Sequence, residues 1–268
     1  MTYVFRGQFC GSLAPEWSEP LAGVIVRLYK YRETKYISSL AVVDPGKTMA
    51  ILTADAVSAK AASLLGEATT DAAGNFVLPL DEAGYKGEAF DIDLFVSDVP
   101  GRKNPTPRLP VQVTLTTMKP RWEATDAGYQ ADWEYCLPPE QWHAIRARFD
   151  AWLICGRVTA QASGQPVNGV RVTAFDADWL QDDELGSAPT DAEGKFRIDY
   201  ERADFTRTLL SPLVNREDGS PDLYFKVSTT SGALLLNEPK NQGSRPDRKD
   251  AAYCTFVELT VAATPELA

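Results

Sequence analysis

Imidazole chemistry in this chain must pass through His143, the one histidine among 268 residues. A nucleophilic triad built on it would need a serine held in reach, and no Gly-x-Ser-x-Gly elbow occurs anywhere in the sequence. His143 therefore reads as a solvated residue on a helix face, and its solitude argues against a histidine-based metal site. Cys10, Cys136, Cys155 and Cys254 form no C-x-x-C pair, which removes the usual zinc spacing. Gly46-Lys47-Thr48 has the last residues of a phosphate-binding loop, but the glycine required five positions upstream is Ala41. Asp176, Asp178, Asp182, Asp183 and Glu184 crowd one stretch at a spacing that fits no calcium loop, so a solvated acidic loop is expected. The expectation is no catalytic residue, no metal and no cofactor.

Two stretches carry a different chemistry. Asp98–Arg108 and Asn237–Lys249 are proline-rich and locally basic in a chain of net charge −10. Loops held by a β scaffold are where binding concentrates. Arg102, Lys103, Arg108, Lys240, Arg245, Arg248 and Lys249 are thus the candidate contacts for an acidic patch on a partner protein. Exposed Trp17, Tyr31 and Trp179 would serve a carbohydrate-binding module instead, and a glycan array separates the two readings.

The acidic balance excludes nucleic acid as a general partner, because phosphate binding needs a basic face. No apolar run approaches the ~18 residues of a membrane-spanning helix. The opening Met-Thr-Tyr-Val-Phe-Arg lacks a basic n-region and a long apolar h-region. The four cysteines then read as reduced thiols, with Cys10 and Cys155 small and buried in equivalent strands. Cys136 or Cys254 stays open to disulfide formation in an oxidising compartment. The expected location is cytoplasmic, or outside the cell by a route without a secretory signal peptide.

The elements that position these loops repeat. Gly66–Phe76 (GEATTDAAGNF) returns as Gly186–Phe196 (GSAPTDAEGKF). In each copy an aspartate (Asp71, Asp191) opens a turn that a glycine (Gly74, Gly194) closes with positive φ, giving a hairpin with a glycine bulge. Phe76, Leu78 and Leu80 then alternate inward, as do Phe196, Ile198 and Tyr200. Pro79 falls on the outward side and marks an edge strand. Upstream, Pro20-Leu21-Ala22-Gly23-Val24 parallels Pro166-Val167-Asn168-Gly169-Val170, and Phe9-Cys10-Gly11 parallels Ile154-Cys155-Gly156. Val113–Thr116 pairs with Val257–Thr260 as the last strand. The offset is about 145 residues at both ends and 120 at the hairpin, so the first copy carries an insertion, 32–64. Within it, 39–44 and 48–52 flank Pro45-Gly46-Lys47 as a hairpin would. Thr53 is placed to cap a short helix ending at Gly66.

Three segments follow: a sandwich over 1–118, a tryptophan-rich helical connector over 119–150, and a second sandwich over 151–268. The connector helix begins at Pro138-Pro139-Glu140, with proline and a carboxylate suited to a first turn. Trp142, Ile145, Phe149 and Trp152 recur at helical spacing, and with Trp122 and Trp133 they are expected to cement the two sandwiches.

Short alternating strands with frequent turns predict an all-β chain of two tandem antiparallel sandwiches. The order of a strand, a P-x-x-G-V strand and a T-D-x-x-G-x-F strand resembles the transthyretin-like (carboxypeptidase regulatory-like) domains, over 3–118 and 150–263. That resemblance implies a double transthyretin-like fold. Hydroxyisourate hydrolases of this group use several histidines, and the similar intradiol dioxygenases bind iron through two histidines and two tyrosines. One histidine cannot supply either set. The regulatory-like domains beside carboxypeptidases, which have no catalytic residues, are the nearer comparison. Such domains imply an interaction or structural adaptor, including accessory, spike or effector-associated parts of contractile injection machines of the type VI kind. A hydrolase on this scaffold is disfavoured.

Overall fold

The computed structural model describes residues 2–31, 49–104, 106–177, 183–206 and 219–262. The chain is mostly β and divides into two compact units. The first comprises Met1–Pro100 with Thr106–Phe149, the second Gly101–Pro105 with Asp150–Ala268.

The first unit opens with the long strand β1 (Thr2–Ala14), followed by β2 (Trp17–Pro20), β3 (Ile25–Lys30), β4 (Ala50–Ile51) and helix α1 (Ala54–Lys60). Then come β5 (Leu64–Thr69), β6 (Asn75–Asp81), β7 (Phe90–Val96), β8 (Val111–Met118), β9 (Glu123–Thr125), β10 (Gly128–Leu137) and helix α2 (Pro139–Arg148). One sheet runs β2-β1-β10-β9 with β6 also on β1, and the other runs β4-β8-β7-β3-β5. Strand β6 alternates exposed and buried residues along its length, so Phe76, Leu78 and Leu80 face inward and Pro79 stays on the outer side of an edge strand.

The second unit holds β11 (Trp152–Ala160), β12 (Arg171–Asp176), β13 (Asp183–Pro189), β14 (Lys195–Tyr200), helix α3 (Arg202–Phe205), β15 (Leu223–Ser228), β16 (Leu234–Asn237) and β17 (Cys254–Val261). Its sheets run β14-β11-β17 and β13-β12-β15-β16. Ile154, Val158, Phe196, Ile198, Phe225 and Leu259 lie in one contiguous buried core.

The duplication is written in hydrogen bonds. The Thr70 hydroxyl accepts from Val24 N (2.9 Å) and donates to the Leu21 carbonyl. The Thr190 hydroxyl accepts from Val170 N (3.1 Å) and donates to Val167 O (2.7 Å). Phe9 N donates to Gly74 O at 3.0 Å, as Val158 N does to Gly194 O at 2.8 Å. Asp71 and Asp191 each accept the amides two and four residues ahead, and Gly74 and Gly194 take φ of 80° and 72°. The turn chemistry read from the sequence is what closes both hairpins.

The strand register differs from the sequence reading. Gly7 faces Phe76 and Gly156 faces Phe196, so Gly156 corresponds to Gly7 rather than to Gly11. A Cβ on Gly7 would meet Trp133 O at 1.7 Å, and one on Gly156 would meet Val257 O at 2.3 Å. Both glycines admit a parallel neighbour: β10 runs parallel to β1, and β17 parallel to β11. The closing strands are therefore β10 and β17, while β8 matches β16 beside β7 and β15. Among the described residues each unit is antiparallel apart from this one pair.

Residues 119–150 accordingly form no connector. Strands β9 and β10 complete the first unit's sheet, and α2 belongs to the same unit. Thr53 caps α1 by accepting from Ala56 N (3.3 Å), but the helix stops at Lys60, and Gly66 lies inside β5. Of the hairpin expected in the insertion, 39–44 and the turn at Pro45-Gly46-Lys47 lie outside the described residues, while Ala50–Ile51 pairs with β8.

Cys10 and Cys136 face each other across β1 and β10 and form a disulfide. This corrects the reading of Cys10 as a buried thiol. The corresponding pair in the second unit is Thr159 and Thr260, and Cys155 and Cys254 are the buried thiols. The bond closes 126 residues of chain separation. Replacing both Cys10 and Cys136 by serine should cost about 2–4 kcal/mol. Urea melts that match the oxidised protein would contradict this.

Candidate functional site

The first basic loop is held at its start. Val99 is buried, and the Pro100 carbonyl accepts from Arg146 Nη1 at 3.0 Å. Lys103 is not a spare cation: its Nζ donates to Asp204 Oδ2 and to Leu185 O, both at 3.2 Å, inside the second unit. Thr106–Pro110 is exposed throughout, with Leu109 88% exposed. Arg102 is partly exposed and Arg108 exposed.

The second loop largely neutralises itself. Arg248 is 5% exposed, lies over the Phe225 ring at 4.7 Å, and pairs with Glu238 (3.3 Å) and Asp247 (3.6 Å). It holds the loop to β15 and offers nothing to a partner. Glu238 also accepts from Phe225 N at 2.9 Å, and burial pushes its carboxyl pKa up. Arg245 pairs with Asp247 at 3.1 Å on the surface. Lys240 and Lys249 are exposed. Of the seven candidate cations, Lys103 and Arg248 are thus spent on the scaffold.

Helix α2 is docked by a buried ion pair. Arg146, fully buried, donates to Glu19 Oε1 at 2.7 Å, and Trp142 Nε1 donates to the same oxygen at 2.6 Å. Gly11 makes room for the Trp142 ring, whose Cδ1 would lie 2.5 Å from a Cβ there. Trp142, Ile145 and Phe149 belong to the first unit and are buried, and Trp133 packs against Phe5, Phe9 and Tyr135 of that unit. Trp152 instead stacks on Tyr253 at 4.0 Å in the second unit's core. Trp122, Trp133 and Trp152 thus make ring contacts with residues of their own units.

A second polar cluster had no signature in the sequence. Asp93, fully buried on β7, accepts from Lys60 Nζ of α1 and from Gln112 Nε2 of β8, both at 2.8 Å. Gln112 in turn donates to Tyr29 (3.0 Å) and accepts from Arg27 (2.8 Å), which pairs with Glu67. Both carboxylate oxygens of Asp93 are occupied, so the cluster fastens α1 to its sheet and leaves no base to act. On β7 Asp91 and Asp93 alternate with the buried Ile92 and Leu94, and Lys60 of α1 reaches Asp93.

A third grouping is aromatic. Tyr3 stacks on Tyr129 (4.9 Å) and meets Trp122 edge-on (4.9 Å), all three being half-buried. Beneath them Tyr85 is buried, accepts from Trp122 Nε1 (3.3 Å), and has its pKa pushed by burial to about 12. Trp17 is half-buried, Tyr31 is exposed, and Trp179 lies outside the described residues.

Of the acidic stretch, Asp176 is buried and accepts from Asp222 N (2.7 Å), Asp183 and Glu184 lie on β13, and Asp178 and Asp182 lie outside the described residues. Among the described residues, no three His, Cys, Asp or Glu side chains are grouped to hold a metal ion. Among the described residues no helix is long and apolar enough to cross a membrane.

No family model matches the chain, and no curated protein matches it. Three solved structures illustrate its likenesses. A 9R-lipoxygenase from Cyanothece PCC8801 is 17% identical with a TM-score of 0.31, over 43% of this chain and 17% of that one. The shaft pilin SpaA from Lactobacillus rhamnosus GG is 10% identical with a TM-score of 0.29, over 100% and 99% of the two chains. A putative carbohydrate binding protein, PA1324, from Pseudomonas aeruginosa is 18% identical with a TM-score of 0.27, over 50% and 86%. The all-β assignment rests on the sheets themselves.

His143 is half-buried, not solvated, and its Nε2 lies 3.1 Å from the Leu13 carbonyl. Burial lowers its pKa from about 6.5. The folded protein thus keeps the ring neutral while the unfolded chain takes up the proton first. Its contribution to stability is present above the unfolded pKa and is lost as pH falls through the folded value. Stability between about pH 7.5 and 5 should fall less steeply in His143→Gln than in the wild type. Equal slopes in urea denaturation would contradict this.

Proposed function

We propose that this chain is a non-catalytic structural or protein-interaction adaptor: two sandwiches hold exposed loops, and one of those loops meets a partner. The observation that carries the reading is the exposure of Thr106–Pro110 throughout, with Leu109, beside Arg108, the most exposed large hydrophobic among the described residues at 88%. Loops held by a rigid scaffold are where binding residues concentrate. The buried charges support the same reading, because Asp93, Arg146 and Arg248 are each used to hold an element in place. The setting that fits the transthyretin-like motifs is an accessory or spike-associated part of a contractile injection machine. The Cys10–Cys136 bond favours an oxidising compartment over the cytoplasm.

Carbohydrate binding is the second reading, favoured by the half-buried Tyr3, Trp122 and Tyr129 rings lying side by side. Capture from a native lysate tests the first against it. Replacing Arg108, Leu109, Lys240 and Lys249 by serine should weaken capture of a protein partner at least tenfold with the melting temperature unchanged. Capture that the variant retains in full, or glycan-array binding with no captured protein, would overturn the reading.

A further inference from the structure

The exposed loop has a backbone preset by its own sequence. Pro107 and Pro110 fix φ, and Thr106 and Leu109 each precede a proline, which pushes them to extended or polyproline angles. Of Thr106-Pro107-Arg108-Leu109-Pro110, Arg108 alone escapes such a restriction. The polyproline helix has three residues per turn, which sets Pro107 and Pro110 along one ridge. The ridge is anchored where it enters β8 at Val111, which is buried. Grooves that take such ridges are lined with aromatic rings.

A surface of that kind lies on the same unit. Tyr3, Trp122 and Tyr129 are half-buried and held from behind by Tyr85. Gly87, with φ of 91°, borders the rings: a Cβ there would lie in ordinary contact with Tyr3 Oη at 3.6 Å and Trp122 Cδ1 at 3.8 Å. Burial, Tyr129 and the nearby carboxylates of Glu82 and Glu88 together push the Tyr3 hydroxyl pKa up. Glu88, whose carbonyl accepts from Tyr85 Oη, and Glu82, next to Asp81 opposite Thr2, place two carboxylates of charge opposite to Arg108 near these rings.

Loop and surface cannot meet within one chain. The loop enters β8 at Val111, opposite Val96, whereas Met118 at the other end of the strand lies opposite Phe90. Phe90 is the neighbour of Tyr85, so the aromatic surface sits at that far end. Eight residues of strand separate them by about 20–25 Å.

We infer that the Thr106–Pro110 ridge of one molecule docks on the Tyr3–Trp122–Tyr129 surface of a second copy, with Arg108 against Glu82 and Glu88. The inference rests on the interaction reading above and names its partner. Because the two surfaces differ, the contact is heterologous and propagates head to tail. Five residues bury less than the ~1,200 Å² of a standard interface, so association is weak, on the order of 0.1 mM.

Sedimentation velocity of the full chain up to about 1 mM should show the average mass rising above 29.4 kDa with concentration. Leu109→Asp, whose side chain is exposed and outside the core, should stay monomeric with an unchanged circular dichroism spectrum. Arg108→Glu and Glu82→Lys should each weaken association about tenfold, and the double variant should regain it. A blocked synthetic peptide of residues 106–110 should perturb the NMR signals of Tyr3, Trp122 and Tyr129. A monomer at every concentration, association indifferent to Leu109→Asp, or a peptide that perturbs other residues instead would each overturn self-docking. If the wild type stays monomeric yet captures a different protein through the loop, self-docking falls and the adaptor reading stands.

Discussion

One buried hydroxyl per unit organises the rest of the fold. Thr70 and Thr190 each accept an amide proton and donate to a carbonyl in the turn leading into the next strand. That turn brings β3 alongside β5, and β12 alongside β13, with their apolar sides inward. A buried amide or carbonyl left without a partner costs about 1–3 kcal/mol, so few side chains suit the position. Threonine does, being small, β-branched and able both to donate and to accept.

Much of this was legible before any coordinates. The aspartate–glycine turns, the alternation of Phe76, Leu78 and Leu80, and the start of α2 at its prolines all depend on contacts within a few residues. Failures came wherever a distant neighbour decides the outcome. Strand β10 carries Trp133 and Tyr135 and lies far from its partner β1 in sequence, so it read as part of a connector. Parallel pairing leaves no turn between strands to betray it. The same blindness shifted the first-strand register by four residues, and with it the pairing of Cys10. The Lys60–Asp93–Gln112 cluster draws one member each from α1, β7 and β8, and no spacing rule joins them.

The two units share a scaffold and differ in what is hung on it. Where the first has a disulfide between its closing strands, the second has Thr159 opposite Thr260. Where the first presents an exposed segment with two prolines before β8, the second folds its basic loop back on Glu238 and Phe225. Local positive charge in an acidic chain was thus a sound guide to where loops lie, and a poor guide to which cations face solvent. Arg248 shows why: a guanidinium over a ring and beside a carboxylate is as much a packing group as a charge.

The central claim is that both units are closed by the same lock. Equilibrium unfolding of Thr70→Val and Thr190→Val tests it most directly, since each variant keeps the shape and removes the hydroxyl. The account predicts a loss of about 1–3 kcal/mol from each, similar in the two units. A neutral effect at either position would show that the two copies are not held together in the same way.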